Sequence, residues 1–173
     1  MKRFLKNKKI LNVGCGRDTY GTDFVDKYPA RVEVKKVDVD KEKLPYPNNF
    51  FDEVYSKNLL EHLTNPGFAL KEMYRVLKKG GRIVLITDNA SYWVWCIGRT
   101  HHGGYRGFKE DKHYCLFVPE HLLNYFKRLG LKRVRFKFIS RSDNFLVFLI
   151  DKILQLTPFR RMGFKQFEII GFK

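Results

Sequence analysis

The run Ile10-Leu11-Asn12-Val13-Gly14-Cys15-Gly16 decides how the rest of the chain is read. Its apolar start predicts a short buried strand. The glycines on either side of Cys15 predict a tight turn whose backbone approaches what a Cβ would exclude. Working outward, strand and helix patterns alternate, which is the signature of a parallel α/β sheet. Residues 22–28 read as a brief helix, capped by Thr22 and stopped by Pro29. Residues 32–39 carry β-branched side chains at about every second position and read as the second strand, closed by Asp38. Residues 51–56 read as the next strand. Residues 66–79 predict a helix, with Asn65 as cap, Pro66 at its first position, and Leu70, Met73, Tyr74 and Leu77 on one face. Gly80-Gly81 ends it, and residues 82–87 then read as a fully buried strand. A helix from Pro119 to Gly130, a strand over 131–140, a helix over 144–156 and a final strand over 166–172 complete the pattern.

Bulk properties narrow the class further. A chain of 173 residues has room for one domain, and 44% hydrophobic with 16% aromatic residues excludes a disordered chain. The richest apolar run, 145–150, is cut by Asp151-Lys152, well short of the roughly 20 residues a membrane span needs. The basic start (Lys2, Arg3, Lys6, Lys8, Lys9) precedes too short an apolar run for a secretory signal. Cys15, Cys96 and Cys115 are odd in number and widely spaced, which fits neither a disulfide frame nor a zinc site. A reduced, cytoplasmic protein is expected. Thirty-four Lys and Arg against 18 Asp and Glu give a net charge of +16, a field that attracts polyanions. The positives are scattered from Lys2 to Lys173 rather than gathered in one block, so a solvated surface is preferred over a nucleic-acid interface.

In an open parallel sheet the ligand crevice lies beyond the carboxyl ends of the strands. Three segments are expected there: Gly14-Cys15-Gly16, the acid Asp38 with Asp40 as its rival, and Ser56-Lys57-Asn58. Asp38 follows Gly14 by 24 residues, near the spacing at which a carboxylate meets ribose hydroxyls. The dinucleotide fingerprint fails, because Thr19 stands where it requires glycine. The long stretch between Asp88 and Phe117, rich in Gly, His, Tyr and Trp, follows a central strand and reads as a binding loop.

These motifs resemble those of class I, Rossmann-like S-adenosylmethionine-dependent methyltransferases of the small-molecule type ("methyltransferase type 11"-like). Residues 10–16 resemble the family's first motif. Leu44-Pro45-Tyr46-Pro47-Asn48-Asn49-Phe50-Phe51-Asp52-Glu53-Val54 is similar to its "LPF-PD-SFD-V" segment. Leu60-Glu61-His62-Leu63 resembles its "EHL", and Arg75-Val76-Leu77-Lys78-Lys79-Gly80-Gly81-Arg82 its "RVLKPGG". The resemblance implies a three-layer sandwich over residues 1–173, a mostly parallel sheet with an antiparallel last strand, and a loop inserted at 88–117. It implies S-adenosyl-L-methionine as cofactor, with Gly14 and Gly16 at its methionyl part, Asp38 at the ribose and Asn58 beside the sulfonium. Cys15, Val39 and Asp40 complete the expected cofactor-binding set. Asp18 replaces the third motif glycine, and the short distance from Asp38 to Leu44 suggests that one strand-helix unit is missing. The Leu44–Phe51 segment, held extended by Pro45 and Pro47, is expected to lay its amides along an adenine edge.

Methyl transfer from a sulfonium needs position, exclusion of water and, for a weak nucleophile, a base. Candidate bases are Asp88, His62, His101, His102 and His113. No metal is expected, since the adjacent His101 and His102 side chains diverge. Tyr92, Trp93, Trp95 and Tyr105 either line an aromatic pocket for the sulfonium or cap the core. The acceptor is expected to be a small molecule. The alternatives are methylation of RNA, or a non-catalytic basic module that binds nucleic acid. Residues 145–156 read as a crossover helix buried between two strands, with an amphipathic surface helix followed by Phe159-Arg160-Arg161 as the alternative.

Overall fold

The computed structural model describes residues 8–96, 113–139 and 144–173, the Cys96 side chain excepted. The chain begins with β1, Ile10–Val13, every residue of it buried. It is an interior strand of a seven-stranded sheet with β2 (Asp23–Asp26), β3 (Val34–Lys36), β4 (Phe51–Lys57), β5 (Leu77–Asp88), β6 (Lys132–Ile139) and β7 (Gln166–Phe172). The spatial order is β3-β2-β1-β4-β5-β7-β6. The first five strands pair in parallel, while β7 runs antiparallel to both β5 and β6. Order reverses between β1 and β4, so the crevice above that pair is the topological switch point.

Four readings of the first half are corrected. Residues 22–28 form β2 rather than a helix. Thr22 does not cap anything: its hydroxyl accepts the Ile10 N–H at 2.9 Å and clamps the new strand beside β1. The strand expected to be second is therefore third, and shorter. No strand is missing either. What the described chain lacks is helices between β1 and β4, since nine residues (14–22) carry it from β1 to its parallel neighbour, where such crossovers usually need a dozen or more. The helix predicted over 66–79 stops earlier, as α1, Pro66–Val76, because Leu77 turns extended to pair with Phe51.

Two helices build the main core. The buried face of α1 (Ala69, Leu70, Met73, Val76) and that of α3, Pro119–Arg128 (Leu122, Phe126), share one cluster with Leu11, Val13, Val54, Ile83, Leu85, Phe167 and Ile169. On the opposite side of the sheet, Tyr20 and Asp18 of the 14–22 loop join Glu53, Tyr55, Arg82, Val84, Ile86, Glu168 and Ile170 around an open groove of about 430 Å³. Charged pairs replace apolar packing there: Arg82 meets Glu53 at 2.6 Å, and the Tyr20 hydroxyl donates to the same carboxylate at 2.7 Å.

The helix α4, Phe145–Gln155, forms where the sequence places it, with Asn144 accepting the N–H groups of Leu146 and Val147. It is not a buried crossover helix. Asp151 is its one buried residue, while most of its large apolar side chains face outward. A short helix, α2 (Trp93–Cys96), and single 3-10 turns at Leu60–His62 and Arg160–Gly163 lie along the carboxyl edge of the strands or beside it.

Candidate active site

Each segment that leaves the carboxyl edge delivers a side chain or a backbone turn to one crevice. After β1, Gly14 (φ 68°) and Gly16 (φ 50°) adopt left-handed conformations. The Gly14 N–H donates to the Val25 carbonyl at 2.9 Å, fixing the turn against β2. A Cβ on Gly14 would sit 2.6 Å from Leu59 Cδ1, so the turn after β1 and the turn after β4 touch across the switch point. At Gly16 nothing lies within 4 Å of such a Cβ, which leaves that side of the turn open. Cys15 between them is buried, and burial raises its thiol pKa, which makes it an inert packing residue.

The carboxylates divide in a way that residue spacing did not reveal. Asp26, at the end of β2, accepts the Gly16 N–H through Oδ2 and the Tyr28 N–H through Oδ1, both at 2.8 Å. Asp38 faces Lys27 at 3.0 Å, and its other oxygen accepts the Asp40 N–H. The Asp40 carboxylate is committed elsewhere: it takes the Thr64 and Asn65 N–H groups and the Thr64 hydroxyl at 2.7–2.9 Å. It therefore anchors the chain entering α1, and these donors pull its pKa below the carboxylate range even though burial pushes the other way. Val39 is buried in the core cluster between the two acids. Asp26 was missed because a four-residue strand with acid at both ends carries little hydrophobic signal.

Beyond β4 and β5 lies a second group. Asn58 has a left-handed backbone (φ 52°), and its Oδ1 accepts from Gln166 Nε2 at 2.7 Å. The same nitrogen reaches Asp88 Oδ1 at 3.0 Å, so the first residue of β7 ties the ends of β4 and β5 together. Glu61 is buried and accepts the Thr87 hydroxyl at 2.7 Å. Burial pushes its pKa up to about 7, and the nearby Asp88 charge adds to this against the pull of the Thr87 bond. His113 Nδ1 stands 3.9 Å from Asp88 Oδ2, and its ring meets that of His62 edge-on at 4.6 Å. Asp88, His62 and His113 thus come together, with Glu61 among them. His101, His102 and Tyr105 lie outside the described residues. Glu61, His62 and His113 are the one trio of potential metal ligands among the described residues, their donor atoms within 4.8 Å of one another.

One expected feature falls elsewhere. The Leu44–Phe51 segment does not reach the crevice, because it descends to the amino-terminal end of β4. Its polar groups are held from α1: the Leu44 N–H donates to Glu72, and the Arg75 guanidinium donates to the carbonyls of Leu44 and Tyr46 at 2.9 and 2.8 Å. No row of amides is left for an adenine. A cavity of about 680 Å³ between α1 and α3, lined by Phe68, Lys71, His121 and Tyr125 among others, is likewise separate from the glycine turn.

Sheet order, glycine turn and edge carboxylates define a Rossmann-like α/β fold with an acid-lined crevice at its switch point. Residues 12–85 match the family described as "Methyltransferase domain". Over 80 residues the chain is 39% identical to the ubiquinone/menaquinone biosynthesis C-methyltransferase UbiE of Coxiella burnetii, covering 46% of this chain and 29% of that protein. UbiE of Neisseria meningitidis is 45% identical over 53 residues, 31% of this chain and 22% of its own length. The matches thus span under a third of these relatives. A SAM-dependent methyltransferase from Archaeoglobus fulgidus superposes with a TM-score of 0.71 at 20% identity, covering 98% of this chain and 88% of that one. A possible histamine N-methyltransferase from Thermotoga maritima gives 0.68 at 16% identity over 99% of this chain and 85% of that one. At such identities the likeness concerns the fold. The chain therefore carries methyltransferase-domain sequence over residues 12–85 and the Rossmann-like methyltransferase fold along its length. S-adenosylmethionine is the cofactor of that class.

The residues present fit this cofactor. It is a cation at sulfur and at its amino group. In a chain of net charge +16, five of the 18 acids (Asp26, Asp38, Asp40, Glu61 and Asp88) gather along this one edge. The open side of Gly16 admits a ligand next to them.

Proposed function

We propose that the protein transfers a methyl group from S-adenosylmethionine to a small-molecule acceptor, as a single cytoplasmic domain whose 88–117 segment shapes the acceptor side. The observation that carries this reading is the pairing of two unlike halves at one sheet edge. On one side stand the open glycine turn and the carboxylates of Asp26 and Asp38. On the other stand the buried Glu61 and Asp88 with the half-buried His62 and His113.

In this reading Gly14, Cys15 and Gly16 give backbone to the methionyl end, and Asp26 and Asp38 hold the ribose side. Val39 walls the pocket, Asp40 acts through the loop it anchors, and Asn58 borders the reacting centre. When bound, the cofactor supplies an electrophilic methyl group on a neutral leaving group. The chain's own task is to align the acceptor, exclude water and take a proton where the acceptor carries one. Glu61 suits that last role, because a carboxyl with a pKa near 7 exchanges its proton at neutral pH. Asp88 and His113 stand next in line, 3.9 Å apart. The names of the UbiE relatives suggest carbon as an accepting atom.

Isothermal calorimetry with S-adenosylhomocysteine tests the reading. One-to-one binding that weakens by at least about tenfold in Asp26→Asn is expected for loss of a charged contact. No heat with either S-adenosylhomocysteine or S-adenosylmethionine would overturn it.

A further inference from the structure

The α4 helix exposes more apolar surface than any ordinary solvated helix. Phe145 is 75% exposed, Leu146 68%, Ile153 56% and Leu156 90%, and Phe148, Leu149, Ile150 and Phe159 are open as well. At 100° per residue these helix positions sweep an arc of roughly 200°, and only Val147, Asp151, Leu154 and Gln155 turn inward. A partner helix or a flat protein face would contact a stripe of about 100°. An arc twice that wide fits immersion in a fluid apolar layer.

Charge selects the layer. The helix's one carboxylate, Asp151, is turned inward, where it accepts from Trp93 Nε1 at 2.7 Å and from the Tyr92 hydroxyl at 3.3 Å. That removes the single group that an anionic surface would repel. The one charge that the helix itself leaves outside is a cation. Lys152 lies within the arc, its ammonium 5.4 Å from the Phe148 ring, and its stem is long enough to carry the charge back to a headgroup layer. Arg160 and Arg161 follow Phe159 on the exposed turn, Arg161 paired with Glu120 at 2.6 Å. Exposed Phe, Leu and Ile rimmed by Lys and Arg are what an interfacial helix presents to anionic lipid.

We propose that α4 docks the protein on an anionic lipid bilayer, lying in the headgroup plane with Phe145, Leu149, Ile153 and Leu156 inserted. No helix among the described residues is long and apolar enough to span a membrane. The Asp151 bonds tie the inward face of this helix to the segment that follows Asp88. The docking itself does not depend on the proposed methyl transfer.

Flotation with phosphatidylcholine vesicles, with and without roughly one-third phosphatidylglycerol, tests it on the full chain. The protein should float with the anionic vesicles, and at least about tenfold less with pure phosphatidylcholine. The double variant Leu149→Glu/Ile153→Glu should lose binding by more than about tenfold, with its melting curve kept. Lys152→Glu, at an exposed position, gives a second loss, with the melting curve again kept. The proposal falls if the wild type fails to float, if the double variant floats as well as the wild type, or if sedimentation shows a dimer that this variant dissociates, which would make a second copy the occupant.

Discussion

The carboxylate of Asp26 accepts the backbone N–H of Gly16 at 2.8 Å, joining the end of the second strand to the turn that ends the first. This contact, rather than a helix, sets the geometry of the glycine turn. Asp26→Asn should therefore weaken S-adenosylhomocysteine binding by at least about tenfold, because it removes a charge and a charge-assisted bond together. Asp40→Ala should instead lower stability by about 1 kcal/mol, as the loss of a cap does, and change affinity less. Calorimetry and thermal melts on the two variants separate the roles. Equal affinity losses would place Asp40 on the cofactor.

Gly14 and Gly16 should differ when each is changed to alanine. At Gly14 the new methyl meets Leu59 at 2.6 Å in a left-handed backbone, so a loss of about 2–3 kcal/mol is expected from strain and clash together. At Gly16 only the backbone term of about 1 kcal/mol applies. Urea unfolding of both variants reads the difference.

Stability should fall as pH rises through the range set by Glu61. Its pKa in the folded protein is about 7 against 4.5 for the free side chain, so between these values the folded state holds more protons than the unfolded state. The contribution is complete below pH 4.5 and lost as pH passes 7, on the order of 3 kcal/mol. Glu61→Gln keeps the Thr87 contact without the titration, and its melting temperature should vary less over this window. A variant whose pH profile matches the wild type would sink the assignment.

Arg75 holds Leu44, Tyr46, Asn48 and Glu72 from one guanidinium. Arg75→Met should cost about 2–4 kcal/mol, since it leaves two carbonyls without their donor and a mostly buried carboxylate without its cation. Cofactor affinity at low temperature should be nearly unchanged, because this clamp is at the far edge of the sheet. Denaturation curves and calorimetry on one preparation check both halves.

Much of the architecture was legible in residues 10–16 and 51–87. Long apolar runs such as Ile83–Ile86 and the spacing of Leu70, Met73 and Leu77 report burial directly. The short strand at Asp23–Asp26 was not legible, because only Val25 in it is fully buried and what holds it extended is pairing with β1 on one side and β3 on the other. For the same reason Asp26, which ends the second strand, stood outside the expected cofactor-binding set. The resemblance of the Leu44–Phe51 segment to its family counterpart was real, yet its use here is the Arg75 clamp, which only a fold that brings α1 beneath it can reveal.

Periodicity and composition by themselves determined that this chain folds as an α/β sheet, where the first glycine turn falls and which helix faces are apolar, because these follow from local spacing and side-chain type. Tertiary structure alone decided which carboxylates stay available and which are spent on backbone, that Glu61 is buried among Thr87, Asp88 and the histidines, and that α4 turns its apolar side out. Those outcomes depend on which groups from distant parts of the chain arrive at the same place, and on how much water their arrival excludes.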